Sequence, residues 1–295
     1  MITDKNRASF SWKWIFAVVI TGFIALAVIG TLSKSKDGEE LRPGSTAHPH
    51  VFSYAPDGET IWIGTHEGLY EYSEGTWKRT MESLSRNDIM GMEIDPVDLD
   101  NIYVSGHGFI KKTEDGGQTW TMIESLSNQP DVHQLTMDNK ASDHLYALIP
   151  VHAQGDDVYE TNDGGNTWNK AGSIPVTNYA VVIAPESSTS LLAGSEAGLF
   201  RYDFGEGEVK ETKINDEPAY QILSLTNGDV IVMNEGGFVR STDLMTWSSM
   251  NADLNGEMPL GIKASKTDPD RLVIVTENLS VYESKNGGFD WLEIK

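Results

Sequence analysis

The stretch "TEDGGQTW" at residues 113–120 returns almost unchanged as "TNDGGNTW" at residues 161–168. Shorter or looser versions stand at "SEGTW" (73–77), "STDLMTW" (241–247) and "SKNGGFDW" (284–291). Aligned on their tryptophans, the copies recur about every 45 residues, with room for two intervals between Trp168 and Trp247. A period of this length is typical of stacked repeats and predicts a repeat protein.

Each repeat contains the same series of short segments rich in β-branched and aromatic residues. In the second repeat they read "IMGMEID", "NIYVSG", "GFIKKTED" and "TWTMI". This composition favours strands over helices, and no segment after Leu32 has helical periodicity. Six repeats begin near His50, Asn87, Asp131, Thr177, Pro218 and Glu257. The predicted fold is all-β, a six-bladed β-propeller of four-stranded antiparallel blades.

The repeated turn resembles the Asp-box, also called the bacterial neuraminidase repeat. The resemblance implies a hairpin between the third and fourth strands of a blade, with a folding role. On physical grounds the Asp accepts hydrogen bonds from turn amides, the glycines permit positive φ, and the Trp begins the outer strand and packs between blades. The residues assigned to these turns are Asp115, Trp120, Asp163, Trp168, Asp243, Trp247, Asn286 and Trp291. Asn286 departs from the pattern, and so does Val209, which stands where the fourth repeat would have Trp.

The order of the strands also predicts how the ring closes. The first repeat starts with its innermost strand, "HVFSYA", and the sixth finishes on its outermost, "WLEIK". No blade is therefore expected to combine strands from both ends of the chain. Closure is predicted to depend on side-chain packing between the first and last blades.

The N-terminal part of the chain predicts a membrane segment. Residues 15–32, "IFAVVITGFIALAVIGTL", carry no charge and are long enough to cross a bilayer as a helix. Residues 25–27, "ALA", resemble a cleavage site, so a signal peptide is the alternative. The predicted organisation is a cytoplasmic segment (1–14), a transmembrane helix or signal peptide (15–32), a flexible tether (33–48) and the propeller (49–295). We expect a single-pass protein of the cell membrane with an extracytoplasmic propeller.

Charge and composition exclude several classes of function. The 295 residues carry a formal net charge of −22. Residues 1–36 hold 5 of the 22 Lys and Arg but only 1 of the 44 Asp and Glu, so the remainder of the chain is the acidic part. A body this acidic, without a basic cluster, is not expected to bind nucleic acid. The absence of cysteine excludes disulfides, thiol catalysis and cysteine-based zinc sites.

Loops that join second to third strands, and one blade to the next, gather on one face of a propeller around its channel. The Asp-box turns lie on the opposite face. The predicted ligand-binding residues on the first face are His66, His107, His133, His152, Arg86, Tyr179 and Tyr220, and the catalytic candidates are Glu67, Glu196, Glu235 and Glu277. Imidazoles on one arc and carboxylates on the other could bind a divalent cation or a cationic ligand. The alternative is that these histidines and glutamates are ordinary exposed turn residues without a ligand. No cofactor other than a divalent cation is predicted.

Resemblance leaves two classes of function open. Asp-box sialidases imply three arginines at the substrate carboxylate, but of the arginines in the predicted propeller only Arg86 falls on the loop face. The compact blades are also similar to photosystem II assembly factors, which the family implies are binding scaffolds, and to sortilin-type receptors and xyloglucan-degrading hydrolases, which have more blades. We therefore predict a non-catalytic module that binds an extracellular protein or polysaccharide. The alternative is a glycoside hydrolase or lyase that uses paired carboxylates about 5–9.5 Å apart at the channel mouth.

Overall fold

The computed structural model describes residues 40–45, 47–126, 131–151, 155–175, 178–205 and 208–295, without the side chains of residues 178 and 179. The predicted membrane segment, residues 15–32, lies outside the described residues. Within these ranges, no helix is long and apolar enough to cross a bilayer. The part of the chain that the structure describes is a six-bladed β-propeller of antiparallel blades, as the repeats predict.

The first three blades begin with the strand nearest the channel, apart from the short strand β1. Blade 1 contains β1 (Glu40–Leu41), β2 (Pro49–Tyr54), β3 (Ile61–Thr65), β4 (Gly68–Ser73) and β5 (Thr76–Thr80), followed by a 3₁₀ turn (Glu82–Leu84). Blade 2 contains β6 (Ile89–Ile94), β7 (Ile102–Gly106), β8 (Phe109–Thr113) and β9 (Thr121–Met122). Blade 3 contains β10 (Gln134–Asp138), β11 (Ala141–Pro150), β12 (Asp156–Thr161) and β13 (Asn169–Ile174).

The last three blades repeat the same order of strands. Blade 4 contains β14 (Asn178–Ala184), β15 (Ser187–Ser195), β16 (Gly198–Phe204) and β17 (Val209–Asn215). Blade 5 contains β18 (Gln221–Ser224), β19 (Val230–Asn234), β20 (Gly237–Ser241) and β21 (Ser248–Met250). Blade 6 contains β22 (Pro259–Ala264), β23 (Leu272–Thr276), β24 (Val281–Ser284) and β25 (Leu292–Ile294).

The core lies between the blades. The second strand of a blade is covered by a neighbour on both faces, and β3, β7 and β23 are buried along their whole length. This explains their unbroken apolar runs, such as "LVIVT" in β23. A strand covered on both faces has no solvent-facing side, so side chains on both of its faces are apolar. Each junction between neighbouring blades, the junction of blade 6 with blade 1 included, holds its own buried apolar cluster.

The junction between blades 1 and 6 closes the ring by side-chain contacts. Every strand of blade 6 is drawn from residues 259–294, and no described strand of one of these blades pairs with the sheet of the other. Part of the segment predicted as a tether is instead ordered, because β1 pairs with β5 as a fifth, outermost strand of blade 1. Across the junction, Trp77 Nε1 donates to the carbonyl of Leu279 (2.9 Å) and Tyr72 Oη to that of Ile294 (2.7 Å).

The repeated turns connect the third and fourth strands of their blades and share one hydrogen-bond pattern. In blade 2, Asp115 Oδ1 accepts from the amide of Thr119 (2.8 Å) and Oδ2 from its hydroxyl (2.6 Å). Thr113 Oγ1 accepts from the amide of Gly117 (3.0 Å), and both turn glycines have positive φ. The turns of blades 3 and 5, with Asp163 and Asp243, form equivalent bonds. In blade 6 the amide oxygen of Asn286 takes the place of the carboxylate.

The tryptophans of these turns immediately precede the outer strands and are half-buried. Trp120, Trp168, Trp247 and Trp291 each pack against the apolar cluster between their own blade and the preceding one. Val209, the residue in the tryptophan position of blade 4, occupies the corresponding place beside the cluster of blades 3 and 4. A smaller side chain at this point is compatible with the junction because Phe204 and Ala171 pack there as well.

The turn carboxylates should make the propeller sensitive to acid. Hydrogen bonds, chiefly from the Thr113 hydroxyl, lower the pKa of Asp115 to about 2, and amides of its own turn lower the pKa of Asp243 to about 2. The pKa of Asp163 is lowered too. Because the unfolded carboxylates have pKa values near 3.9, the stabilisation is complete above about pH 4 and is lost as pH falls towards 2. A triple variant, Asp115→Asn, Asp163→Asn, Asp243→Asn, should therefore show a shallower decline of Tm between pH 4 and pH 2.

A matched control removes three exposed carboxylates away from these turns: Glu208→Gln, Glu211→Gln and Glu293→Gln. This control should keep the acid sensitivity of the unmodified chain. Equal slopes of Tm against pH in all three proteins would show that the turn carboxylates do not carry the effect. Asn286 is an internal precedent, since in its turn an amide oxygen accepts the bonds that the carboxylate accepts in the other turns.

Candidate functional site on the loop face

The loop face is the side of the ring that carries the second-to-third strand turns and the links between blades. Where each innermost strand starts on this face, the chain bulges by one residue in at least four blades, at His50, Met90, Tyr179 and Leu260. His133 and Tyr220 immediately precede the innermost strands of blades 3 and 5. Bulges often redirect a side chain near a binding site. The four bulged positions and the two that precede β10 and β18 together form a ring, one from each blade, at the mouth of the channel.

The mouth opens into a cavity of about 360 Å³. Its lining includes the described side chains of that ring, His50, Met90, His133, Tyr220 and Leu260. Gln134 and Gln221 span the gap between neighbouring inner strands, since Gln134 accepts from the amide of Val181 (2.8 Å) and Gln221 donates to the carbonyl of Leu260 (2.6 Å). The cavity is within the size range of small-ligand sites and mixes apolar and polar walls.

Deeper in the channel, the lining includes two lysines, Lys263 and Lys266. Lys266 Nζ lies 3.3 Å from Glu93 Oε2, whereas Lys263 lines the channel between the mouth and this pair. Burial lowers the pKa of the Lys263 amino group, against the opposing effect of Glu93. Beneath the mouth the channel thus holds two lysines beside one glutamate, a feature that the sequence analysis did not identify.

Blades 1 to 3 carry a continuous histidine–aspartate arc on the loop face, formed by His48, His50, His66, Asp88, His107, Asp131 and His133. His66 Nδ1 lies 2.9 Å from Asp88 Oδ2 and 3.2 Å from His50 Nε2. His107 connects the two halves, because its Nε2 lies 3.5 Å from Asp88 Oδ2 and its Nδ1 3.1 Å from Asp131 Oδ1. The His107 and His133 rings meet edge to face, 5.3 Å apart.

The electrostatics of the arc favour neutral imidazole at His50. Burial lowers the pKa of His50, and the neighbouring His66 lowers it further, while Asp88 acts in the opposite direction. At the far end, burial raises the pKa of Asp156, and His133 opposes that shift. Two buried atoms of the arc, Asp88 Oδ1 and His133 Nε2, find no hydrogen-bond partner among the residues that the structure describes.

Blades 4 to 6 carry a carboxylate arc on the same face, formed by Glu196, Asp216, Glu217, Glu235, Asp253, Glu257 and Glu277. The described loops that hold these residues, 196–197, 216–220, 235–236, 251–258 and 277–280, contain no Lys or Arg. Only Glu257 is not exposed, because it accepts hydrogen bonds from the hydroxyls of Thr276 and Ser280. Met258, 65% exposed, is a large apolar side chain among the carboxylates.

The four catalytic candidates all lie on the loop face, in turns of four different blades. Glu67 is held by the buried guanidinium of Arg79, whose Nη2 lies 2.9 Å from Glu67 Oε2. Glu235 accepts from Tyr220 Oη at 3.4 Å. Glu196 and Glu277 are exposed. No hydrogen bond or ion pair of the described residues joins any two of these four glutamates, so the structure does not single out an acid–base pair.

The other sequence-predicted residues divide into three groups. His66, His107 and His133 come together in the histidine–aspartate arc, and Tyr220 lies at the channel mouth. Arg86 is exposed on the link between blades 1 and 2. His152 and the side chain of Tyr179 lie outside the described part of the chain.

Sequence analysis omitted His48, His50 and Asp131 from the candidate set. These three residues stand at the starts of repeats, where "HPH" (48–50) and "DVH" (131–133) place two charged or imidazole side chains two residues apart. Alternate residues of an extended segment point to the same side. This spacing directly before an innermost strand was the available signal.

Comparison with known proteins supports the fold. No protein-family model and no curated protein matches the sequence. Among solved structures, a YCF48 bound to a D1 peptide is similar over 88% of this chain and 84% of its own, at 17% identity and a TM-score of 0.53. A GH74 enzyme from Niastella koreensis matches 88% of this chain, at 17% identity and a TM-score of 0.58, but this chain spans only 46% of that enzyme. A putative gluconolactonase matches 88% of this chain and 94% of its own at 11% identity, with a TM-score of 0.61. At these identities the likeness establishes a shared β-propeller fold.

Proposed function

We propose that this protein is a membrane-anchored, extracytoplasmic binding module without catalytic activity, which takes a positively charged segment of another protein on its loop face. The carboxylate arc is the observation that carries this proposal. It presents exposed acidic side chains from three consecutive blades on the loop face, and it reaches the cavity at Tyr220, which donates to Glu235. Among the described residues, Asp216 is the one acid of the arc that pairs with a lysine, Lys213. Such a one-signed rim steers oppositely charged partners and selects against acidic ones.

The side chains that line the mouth support a protein segment as the ligand. The cavity combines apolar walls from Met90 and Leu260 with hydrogen-bonding groups from Tyr220, and Met258 adds an exposed apolar contact beside the acids. A peptide side chain that enters the mouth would use the apolar walls, while flanking Lys or Arg residues would meet the carboxylates. The peptide-bound YCF48 structure is a precedent for this use of a similar fold.

The remaining parts of the proposal come from the sequence. The uncharged residues 15–32 support a single membrane-spanning helix with the acidic domain outside the cytoplasm. The hydrogen-bond pattern shared by the turns of Asp115, Asp163 and Asp243 supports a place among the Asp-box propellers.

A peptide-binding experiment tests the proposed partner. The full chain in detergent is titrated with a Lys- and Arg-rich 12-residue peptide and with a peptide in which Glu replaces each basic residue. We expect saturable binding of the basic peptide only, and weaker binding at higher salt. The triple variant Glu196→Gln, Glu235→Gln, Glu277→Gln should lower the affinity about tenfold, since exposed ion pairs contribute roughly 0.2–1 kcal/mol each.

The variant with Glu208→Gln, Glu211→Gln and Glu293→Gln, in and beside the outer strands of blades 4 and 6, is the matched control, because it removes the same charge away from the loop face. Its affinity should equal that of the unmodified chain. If both triple variants bind the basic peptide equally weakly, the loss of affinity follows from net charge alone. That result would contradict a defined acidic site on the loop face.

A glycoside hydrolase is the second candidate, favoured by the four glutamates on the loop face and by the fold shared with a GH74 enzyme. Incubation with xyloglucan and other polysaccharides separates the two functions. The binding module releases no products. Product release that disappears in Glu67→Gln or Glu235→Gln would instead establish catalysis.

A further inference from the structure

We propose that His50, His66 and Asp88 form a binding site for a divalent transition-metal ion of the Zn²⁺ type. The site lies on the histidine–aspartate arc, across the channel mouth from the carboxylate arc. It joins blade 1, which contributes both imidazoles, to the link before blade 2, which contributes the carboxylate. The inference does not depend on the proposed protein partner.

The distances between the donor atoms support a single ion. Ligands about 2.0–2.2 Å from a tetrahedral Zn²⁺ lie roughly 3.3–3.5 Å from one another. Here His50 Nε2 and His66 Nδ1 are 3.2 Å apart, His50 Nε2 and Asp88 Oδ1 3.3 Å, and His66 Nδ1 and Asp88 Oδ2 2.9 Å. These spacings of 2.9–3.3 Å are close to the required one, and the two rings meet the Asp88 carboxylate through different oxygens. Small rotations of the side chains suffice to close on an ion.

Hydrogen bonding alone does not explain the arrangement. Asp88 Oδ1 is buried and, although His50 lies within ion-pair distance, it has no hydrogen-bond partner among the described residues. A buried carboxylate oxygen without such a partner is destabilising, and a bound cation would compensate for it. The two imidazole nitrogens 3.2 Å apart form a hydrogen bond between neutral rings, and the same spacing suits two ligands of one cation.

The neighbouring side chains supply a second shell. His107 Nε2 lies 3.5 Å from Asp88 Oδ2, while Asp131 holds the opposite nitrogen of the same ring at 3.1 Å. His107 is therefore a positioning residue for the Asp88 carboxylate, and partners of this kind tune metal affinity. The group His107, Asp131 and His133 offers similar donors within 4.8 Å of one another, and its rings meet edge to face, as those of His50 and His66 do. Among the described residues, donor-atom contacts of 2.9–3.3 Å join every pair of His50, His66 and Asp88, whereas in the second group such a contact joins only His107 and Asp131. This difference assigns the ion to His50, His66 and Asp88.

The donor set identifies the class of metal. Two imidazoles with one carboxylate suit Zn²⁺ and its neighbours Co²⁺, Ni²⁺ and Cu²⁺, whereas Ca²⁺ and Mg²⁺ prefer oxygen ligands throughout. Three protein ligands leave the fourth tetrahedral position open, as in zinc sites that accept water or an added ligand. The exposed edges of His50 and His66 direct that position towards the surface of the loop face.

The test is metal titration of the full chain in detergent, produced without a histidine tag. Zn²⁺ affinity is measured by competition with a chromogenic chelator. Co²⁺ serves as the spectroscopic probe, through its visible absorption and the paramagnetically shifted imidazole protons in NMR spectra. We expect one tightly bound Zn²⁺ per chain, two shifted imidazole spin systems with Co²⁺, and a loss of affinity of at least about tenfold in His66→Gln and in Asp88→Asn.

Two controls locate the ion. Glu277→Gln, on the same face but in the carboxylate arc, should bind Zn²⁺ like the unmodified chain, and so should His133→Gln. Circular dichroism and melting without metal confirm that each variant folds, which is expected because these side chains are not core residues. The proposal is overturned if folded Asp88→Asn and His66→Gln bind Zn²⁺ as tightly as the unmodified chain, or if His133→Gln is the variant that loses the ion.

Discussion

Arg271→Ala is expected to lower the free energy of unfolding by about 3 kcal/mol, because it leaves the buried Glu283 without its main cationic partner. Arg271 Nε donates to Glu283 Oε1 (2.7 Å), and the rest of the guanidinium reaches blade 1. There it donates to the carbonyl of Gly58 (2.7 Å) and both oxygens of Glu59 (2.8 and 2.7 Å), and it lies over the ring of Tyr54. These contacts raise the pKa of Arg271, so its guanidinium stays charged throughout the pH range in which the protein is folded.

The expected result is a fall in Tm of roughly 6–12 °C, from the usual 2–4 °C per kcal/mol for a domain of this size. Arg271→Lys keeps the charge but loses the bidentate geometry, so its Tm should lie between those of the unmodified chain and Arg271→Ala. Glu59→Gln should lower Tm less than Arg271→Ala, since Glu59 is 73% exposed. If Arg271→Ala melts no lower than Glu59→Gln, the guanidinium is not a closing element of the ring.

Trp77→Ala is expected to have a comparable or larger effect, about 3–5 kcal/mol, the usual range for removing a buried Trp. Trp77 is 3% exposed and belongs to the apolar cluster that joins blade 1 to blade 6, beside Leu41 and Leu279. Its indole N–H is bonded to the carbonyl of Leu279, so truncation also leaves a peptide oxygen without that donor. Differential scanning calorimetry of the unmodified chain and the variant measures the loss.

Trp291→Ala is the matched control. Trp291 is only half-buried, and its indole N–H bonds within its own turn, to Gly288. Its loss should therefore be smaller than that of Trp77→Ala, and Trp77→Phe should recover most of the packing. Equal losses at Trp77 and Trp291 would contradict a special role for the junction of blades 1 and 6.

Blade number and strand order follow from the sequence because each blade is built from consecutive residues. The runs "NIYVSG" and "LVIVT" identify second strands through burial on both faces, and the turn glycines mark the hairpins by their positive φ. The fifth strand of blade 1 could not be predicted. Glu40–Leu41 is a two-residue pairing set by the exposed edge of β5, which no local pattern records.

The candidate site was predictable only as a set of loops. The sequence indicates which loops share a face, and so places histidines in one half of it and glutamates in the other. It does not indicate which side chains meet, because distances such as 2.9 Å between His66 and Asp88 depend on the rotation between two blades. Lys263 was missed for a related reason, since an inner strand with one Lys resembles an ordinary half-exposed strand.

The closure of the ring without a shared blade has a consequence for how such a molecule can change. When the two ends of a chain interlock in one sheet, adding or deleting a repeat must preserve both halves of that sheet. Here every described blade is a complete insertable unit bounded by links on the loop face. Duplication of a single unit would widen the ring and its mouth, and the contacts at one junction, such as those of Trp77, Tyr72 and Arg271 between blades 1 and 6, would have to be formed again against a new neighbour.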